Sequence, residues 1–307
     1  MSKKVLLATE KPFVASAVEG IEGVFAKAGY ELVKLENYTD TADLLAAVAD
    51  VDAMIIRSDK ATAQVIEAAS NLRIIVRAGA GFDNIDLAAA TAHDVCAMNT
   101  PGQNANAVAE LAVGMMLYMA RNKFTKGSGT ELRGKRIGIH AYGNVGKYVA
   151  LIAKGFGMSV SAFDPFIPAE AMEADGVTVC ATVEELYETC DYVSLHMTAN
   201  GHTKRSINHK RMGRMKEGAT LINTARKEVV CEDGLKMIMA ERPGFRYSTD
   251  VAPDCHGELL EKYGLRYFFT PKKMGAQTAE ANINAGVAAA TQIVNFFEKG
   301  DRNFQVN

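Results

Sequence analysis

What this sequence lacks narrows its function before any motif is considered. It has no charge imbalance: 34 Lys and Arg against 36 Asp and Glu leave a formal net charge of −2, so overall charge draws it neither to nucleic acid nor to an anionic membrane surface. It has no apolar run approaching the ~18 residues that span a bilayer. The opening stretch MSKKVLLATEKPF returns to charge at Glu10 and Lys11 and reads as a first strand, not a signal peptide. Its five cysteines, Cys96, Cys180, Cys190, Cys231 and Cys255, are odd in number and form no C-x-x-C pair. That argues against zinc and against a disulfide framework, and for a reducing, cytoplasmic setting. No internal repeat and no low-complexity tract appears.

What is there suits a globular protein of two domains: 307 residues, 48% of them apolar and 23% charged. Short apolar runs at Val5–Ala8, Met54–Arg57 and Ile74–Arg77 read as buried strands. Segments of helical period at Val14–Ala28, Thr41–Ala49 and Ala61–Ala69 lie between them. Asn104–Arg121 is a long, mostly apolar helix, and a second series of strands follows at Arg136–His140, Ser159–Asp164, Tyr192–His196, Thr220–Thr224 and Tyr267–Thr270. A last helix, Thr278–Glu298, is long enough to return to the first series. Strands alternating with helices make βαβ units. The expectation is an α/β protein of two doubly wound parallel-sheet, Rossmann-like lobes with a cleft between them. Residues 1–101 and 283–307 form one lobe and 102–282 the other.

The segment KRIGIHAYGNVGKYVALIAKGFGMSVSAFD runs strand, glycine turn, helix, strand, acid. Within it Ala141-Tyr142-Gly143-Asn144-Val145-Gly146 stands where a G-x-G-x-x-G loop would, with Ala141 replacing the first glycine. Small residues there allow a tight turn, close approach to a pyrophosphate and close packing of helix on strand. The phosphates would sit on the free N–H groups of the helix starting near Gly143. Asp164 closes the second strand, where a carboxylate accepts from ribose hydroxyls and repels a 2′-phosphate. Pro165 and Phe166 supply no arginine for that phosphate, so NAD is favoured over NADP.

Further blocks carry a resemblance. Arg77-Ala78-Gly79-Ala80-Gly81-Phe82-Asp83-Asn84-Ile85-Asp86, Asn99-Thr100-Pro101-Gly102 followed by Val108-Ala109-Glu110, Glu131-Leu132-Arg133-Gly134-Lys135, Asp191–His196 (DYVSLH) and Leu221–Arg226 (LINTAR) occur in order along essentially the whole chain. Together they resemble the D-isomer-specific 2-hydroxyacid dehydrogenases, most closely their phosphoglycerate dehydrogenase branch. The resemblance implies that Arg226 grips the substrate's carboxylate and 2-oxygen, a task suited to a planar, permanently charged fork. It implies that His196 and Thr224 line the cofactor and that Asp250 orients the nicotinamide carboxamide. An acid at that strand end would alternatively cap a following turn.

The sequence departs from the family at the acid–base. Most members carry a histidine in T-P-H-x-G-x-x-T with a glutamate partner, whereas this chain reads Thr270-Pro271-Lys272-Lys273-Met274-Gly275-Ala276-Gln277-Thr278. Aligning from the strand selects Lys272, and aligning from Gly275 onward selects Lys273, the register that more positions fix. The partner acid is absent too, with Asp254, Cys255 and His256 in its region. A lysine base must be lowered from about 10.4, by burial and by a neighbouring cation such as Arg226. Three roles stay open: acid–base, a fixed cation that polarises the 2-oxygen, or none in a protein that has lost catalysis. His256 is a spare candidate.

A phosphorylated substrate needs cations away from the reacting centre. Arg57, Ser58 and Lys60 end a first-lobe strand beside Arg77, and carboxyl ends of parallel strands are where such sheets bind ligands. Backbone N–H groups of Ala80 and Gly81 would help hold the carboxylate. The expected reaction is oxidation of 3-phosphoglycerate with NAD, without a metal. A glyoxylate or hydroxypyruvate reductase and a non-catalytic NAD-sensing protein are the alternatives. The chain ends soon after Ala281, so no appended regulatory domain is expected. A homodimer is expected through Asn104–Arg121, whose apolar surface exceeds what one lobe needs.

Overall fold

Buried strands and amphipathic helices alternate along the chain to build two parallel sheets. The computed structural model describes residues 2–307. Two compact units result, the first running to Asn104 and resuming at Gln277–Asn307, the second being Ala105–Ala276. The second crossing therefore falls ahead of the expected 282–283, and Gln277 to Asn282 pack with the first unit.

In the first unit β1 (Lys4–Thr9), α1 (Ala15–Ala28), β2 (Glu31–Glu36), α2 (Thr41–Val48), β3 (Ala53–Ile56), α3 (Ala63–Ala68), β4 (Ile74–Arg77), α4 (Leu87–Ala92) and β5 (Cys96–Asn99) follow one another. The strands pair in the order β2-β1-β3-β4-β5, all parallel. The inner strands are almost wholly buried because helices cover both faces, which is why they read as unbroken apolar runs. By contrast β2 is a half-exposed edge strand with sequence ELVKLE, and its charges hide it from apolar periodicity. Strand order reverses between β1 and β3, so the carboxyl ends of those strands form this unit's topological switch point.

The second unit contains α5 (Ala105–Ala120), β6 (Arg136–His140), α6 (Asn144–Gly155), β7 (Ser159–Phe163), α7 (Ala169–Ala174), β8 (Thr178–Val179), α8 (Val183–Thr189), β9 (Tyr192–Leu195), α9 (His209–Gly213), β10 (Thr220–Asn223), α10 (Glu232–Glu241), β11 (Arg246–Thr249), α11 (His256–Tyr263) and β12 (Tyr267–Phe269). Its sheet is parallel throughout, in the order β12-β11-β10-β9-β6-β7-β8. The order reverses between β6 and β9, placing the switch point at His140 and His196. The last helix, α12 (Ala279–Lys299), belongs to the first unit and packs against α1 so closely that a Cβ on Gly20 would lie 2.7 Å from Val287 Cγ2.

One expectation is corrected. On α5, Val113, Met115 and Met116 are buried in the unit's own core, and Leu111 and Leu117 pack partly buried against it. Exposed large apolar residues occur instead on α6, at Tyr148 and Leu151, so surplus apolar surface on α5 is no argument for a dimer. Among the described residues no helix is long and apolar enough to cross a membrane, and no group of three or more His, Cys, Asp or Glu is placed to hold a metal.

Candidate active site

The glycine turn of the second unit lies at its switch point, between β6 and α6. Ala141 adopts φ +79°, a left-handed conformation that glycine enters freely and alanine does not. The backbone thus makes the turn that the missing glycine would make. Gly146 is close-packed: a Cβ there would fall 2.5 Å from the Ala141 carbonyl oxygen and 3.0 Å from Ile139. Gly143, the residue before α6, is exposed and has nothing within 4 Å of its Cβ position. Open space before a helix N-terminus, with tight packing behind it, is the shape that a pyrophosphate requires. Asn144 is exposed beside Gly143 and Val145 is half-buried.

Two loop residues behave in ways that the sequence did not reveal. The Tyr142 side chain is buried and its hydroxyl lies 3.1 Å from Asp175 Oδ2. Burial pushes that phenol's pKa up. Asp164 accepts the Tyr142 N–H at 2.7 Å and the Phe166 N–H at 2.8 Å, tying the glycine loop to the end of β7.

Across the switch point, His196 donates its backbone N–H to the His140 carbonyl at 3.0 Å, and its Nδ1 lies 3.4 Å from Thr224 Oγ1. Its Nε2 is buried with no partner among the described residues, an orphan suited to a ligand group. Burial holds both His140 and His196 down at about 3, so both rings are neutral.

The strand ends of β10, β11 and β12 position the remaining groups. Asn223 accepts from Ala225 N–H at 3.0 Å and donates to the Arg226 carbonyl at 3.0 Å, shaping the turn that sends Arg226 off in extended backbone. Arg226 itself is half-buried, with Nη1 2.9 Å from the Ala225 carbonyl. Asp250 is buried and spends both carboxylate oxygens on the chain: Oδ1 accepts from the Thr270 hydroxyl at 2.8 Å and Met274 N–H at 2.7 Å, and Oδ2 from Gly275 N–H at 2.9 Å. The loop so held carries Lys272 and Lys273. Both are exposed, so the burial expected around the lysine is not present. Asp254 pairs with Lys227, and the exposed His256 opens α11 with its ring on Phe269.

In the first unit the predicted cations lie at the ends of β3 and β4. Arg77 Nε donates to the Arg57 carbonyl at 2.9 Å, and its guanidinium occupies the space where a Cβ on Gly79 would be. The Arg57 guanidinium lies over the Phe13 ring, 5.6 Å from its centroid, with Nη2 3.4 Å from Gln277 Oε1. Burial lowers its pKa from the ordinary arginine value. Ser58 and Lys60 are exposed in the same loop. That loop is organised by Asp59, which is buried and accepts from Glu10 N–H at 2.6 Å and the Tyr38 hydroxyl at 2.9 Å. The Gly79 carbonyl accepts from Thr100 N–H at 3.0 Å and the Ala80 carbonyl from Asn99 at 2.6 Å. A trans peptide points its N–H opposite its C=O, so the N–H groups of Ala80 and Gly81 face away from those partners. Sequence reasoning missed Asp59, Tyr38, Phe13 and Gln277.

The profile of the D-isomer specific 2-hydroxyacid dehydrogenase NAD binding domain matches residues 106–258. The chain is 33% identical over 280 residues to a hydroxypyruvate reductase from Thermotoga maritima, covering 86% of this chain and 90% of that one. It is 35% identical over 268 residues to a D-3-phosphoglycerate dehydrogenase from Methanocaldococcus jannaschii, covering 82% of this chain but 51% of that one. A solved NAD+-bound 3-phosphoglycerate dehydrogenase from Entamoeba histolytica superposes with a TM-score of 0.91 at 45% identity, covering 100% of this chain and 99% of that chain. The chain belongs to the D-isomer-specific 2-hydroxyacid dehydrogenase family.

Members of this family are NAD-dependent oxidoreductases, and NAD is the cofactor. The residues present fit it: an open Gly143, a close-packed Gly146, an acid at the end of β7 and an orphaned imidazole nitrogen at the switch point. The chain spans about half the length of several curated phosphoglycerate dehydrogenases that it matches.

Proposed function

We propose that this dehydrogenase oxidises D-3-phosphoglycerate at C2 to 3-phosphohydroxypyruvate. The observation that carries the substrate assignment is the pair of guanidinium groups on adjacent strand ends, Arg77 bonded to the Arg57 backbone and Arg57 held by Phe13 and Gln277. An unphosphorylated hydroxy acid has no use for cations remote from its carboxylate, whereas a phosphate dianion does. The NAD+-bound relative from Entamoeba histolytica, alike over its whole length, supports the same reading.

In this mechanism Arg57, Lys60 and Arg77 hold the phosphate, with Ser58 as a neutral donor. The N–H groups of Ala80 and Gly81 meet the carboxylate, and Arg226 bridges carboxylate and 2-oxygen. Lys273 Nζ, in its unprotonated form, takes the hydroxyl proton as the C2–H bond breaks. The nicotinamide, when bound, accepts the hydride from C2. The loop of residues 142–146 and Asp164 would hold the pyrophosphate and ribose, and His196 and Thr224 would border the ring, with Asp250, its oxygens spent on the chain, holding the loop beside it. We assign the first unit to substrate and the second to cofactor. A cytoplasmic homodimer completes the proposal: all five cysteines are unpaired, as a reducing compartment keeps them, and Tyr148 and Leu151 offer apolar surface.

The Thermotoga relative favours a second reading, reduction of hydroxypyruvate without a phosphate. Absorbance at 340 nm with 3-phosphoglycerate, glycerate and hydroxypyruvate separates the two. Arg57→Ala is expected to lower kcat/KM for 3-phosphoglycerate by roughly 30-fold or more, a loss of about 2 kcal/mol in a charge-assisted contact. It should leave glycerate nearly unaffected. Equal losses on both substrates would favour the second reading.

A further inference from the structure

The segment that carries Lys272 and Lys273 has no helix or strand of its own between the end of β12 and Ala276. Asp250 is a main point of its attachment to the sheet. Asp250, 1% exposed at the end of β11, accepts three hydrogen bonds from this segment: from the Thr270 hydroxyl, Met274 N–H and Gly275 N–H, at 2.8, 2.7 and 2.9 Å. Thr270 N–H in turn donates to the Thr249 carbonyl at 3.1 Å, so the loop leaves β12 still paired with β11. Gly275 packs so closely that a Cβ would lie 3.1 Å from Asp250 Oδ2 and 3.1 Å from Val108.

We infer that Asp250 and Thr270 form a clasp that positions Lys273 for proton transfer, resting on the reading of Lys273 as the acid–base. The Met274 N–H belongs to the peptide that leaves Lys273, so Oδ1 fixes the plane adjoining the Lys273 Cα. Oδ2 then fixes the next plane, the peptide between Met274 and Gly275. Lys272 lies a residue further from any anchored peptide, between the Thr270 side chain and the first of these bonds. A long flexible stem on an exposed loop reaches a reacting atom reproducibly only if its root is immobile, because small misplacements cost rate steeply. One buried carboxylate supplies that immobility. Asp250 and Thr270 are positioning residues here, acting through Lys273.

Thr270→Val removes the hydroxyl while leaving the carboxylate and the side-chain volume in place, and Thr270→Ser restores the hydroxyl. In Thr270→Val, kcat is expected to fall about tenfold, with KM for 3-phosphoglycerate and Kd for NAD within about twofold of wild type. Amide exchange at Met274 and Gly275, read by NMR without substrate, should quicken at least tenfold. Thr270→Ser should return both readouts to within about threefold. Unchanged exchange, or faster exchange with wild-type turnover, would overturn the clasp. A drop in NAD affinity matching the drop in turnover would also overturn it, since the residues would then serve the cofactor. Lys273→Ala separates this from the parent reading: full turnover in that variant refutes the lysine, whereas a dead Lys273→Ala beside an undisturbed Thr270→Val refutes the clasp alone.

Discussion

Both units end in a parallel sheet with a topological switch point, yet they equip those strand ends differently. The second unit presents buried, neutral or backbone-satisfied groups: the helix N-terminus at Gly143, the uncharged rings of His140 and His196, and an Asp250 whose oxygens are taken by the chain. The first presents half-exposed cations, with Arg57 and Arg77 side by side over a loop pinned by Asp59. Fold alone therefore does not decide what a switch point binds. The side chains at the last position of each strand decide it, and here one set suits a dinucleotide and the other an anionic substrate.

The largest test of this contrast is Lys273→Ala. If the chemistry belongs to the second unit and anion recognition to the first, turnover should fall by about 10³-fold or more while NAD affinity stays within a few fold. Fluorescence titration of NADH and single-turnover kinetics measure the two quantities. A comparable collapse in Lys272→Ala with Lys273→Ala active would move the role by one residue.

Acid should separate the units next. His140 and His196 are held at about 3 from an ordinary 6.5 by burial, and both lie in the second unit, whereas the first has only the exposed His93. The folded state thus binds fewer protons than the unfolded chain between those values. Stability is intact above about pH 6.5 and is lost as pH falls toward 3, at up to ~1.4 kcal/mol per pH unit for each histidine. Hydrogen exchange as a function of pH should show the second unit opening before the first. Simultaneous opening, or the first unit leading, would erase this difference between them.

The smallest expected effect concerns the turn itself. Ala141→Gly places the residue that favours φ +79° where alanine now sits, and should stabilise by up to about 1 kcal/mol, with glycine's greater unfolded entropy offsetting part of the relief. Calorimetry would register a modest rise in Tm. A fall would mean that the methyl group's packing against the sheet outweighs the backbone strain.

Much of this was readable from residues in line. The buried strands β1, β3, β4, β6, β9 and β10 advertised themselves as apolar runs, and the glycine turn ahead of Asp164 was marked by its spacing. By contrast β2 and β5 escaped notice because ELVKLE is too charged and CAMN too short to show a period, and β11 (RYST) was marked only by the acid that follows it. The paired cations Arg57 and Arg77 were legible as candidates, but the Phe13 and Gln277 contacts that orient Arg57 were not.

By itself the sequence determined the alternation of strand and helix, the nucleotide turn and the inventory of charged candidates, because each is written in residues a few positions apart. Tertiary structure alone decided that Tyr142 turns inward to Asp175, that Asp59 gathers Glu10 and Tyr38, and that Asp250 grips the lysine loop. These partners lie 20 or more positions apart along the chain and meet only when a sheet brings strand ends together. A carboxylate's acceptor sites carry no sequence mark of which N–H will fill them; that depends on which backbone groups the fold leaves buried and unpaired beside it.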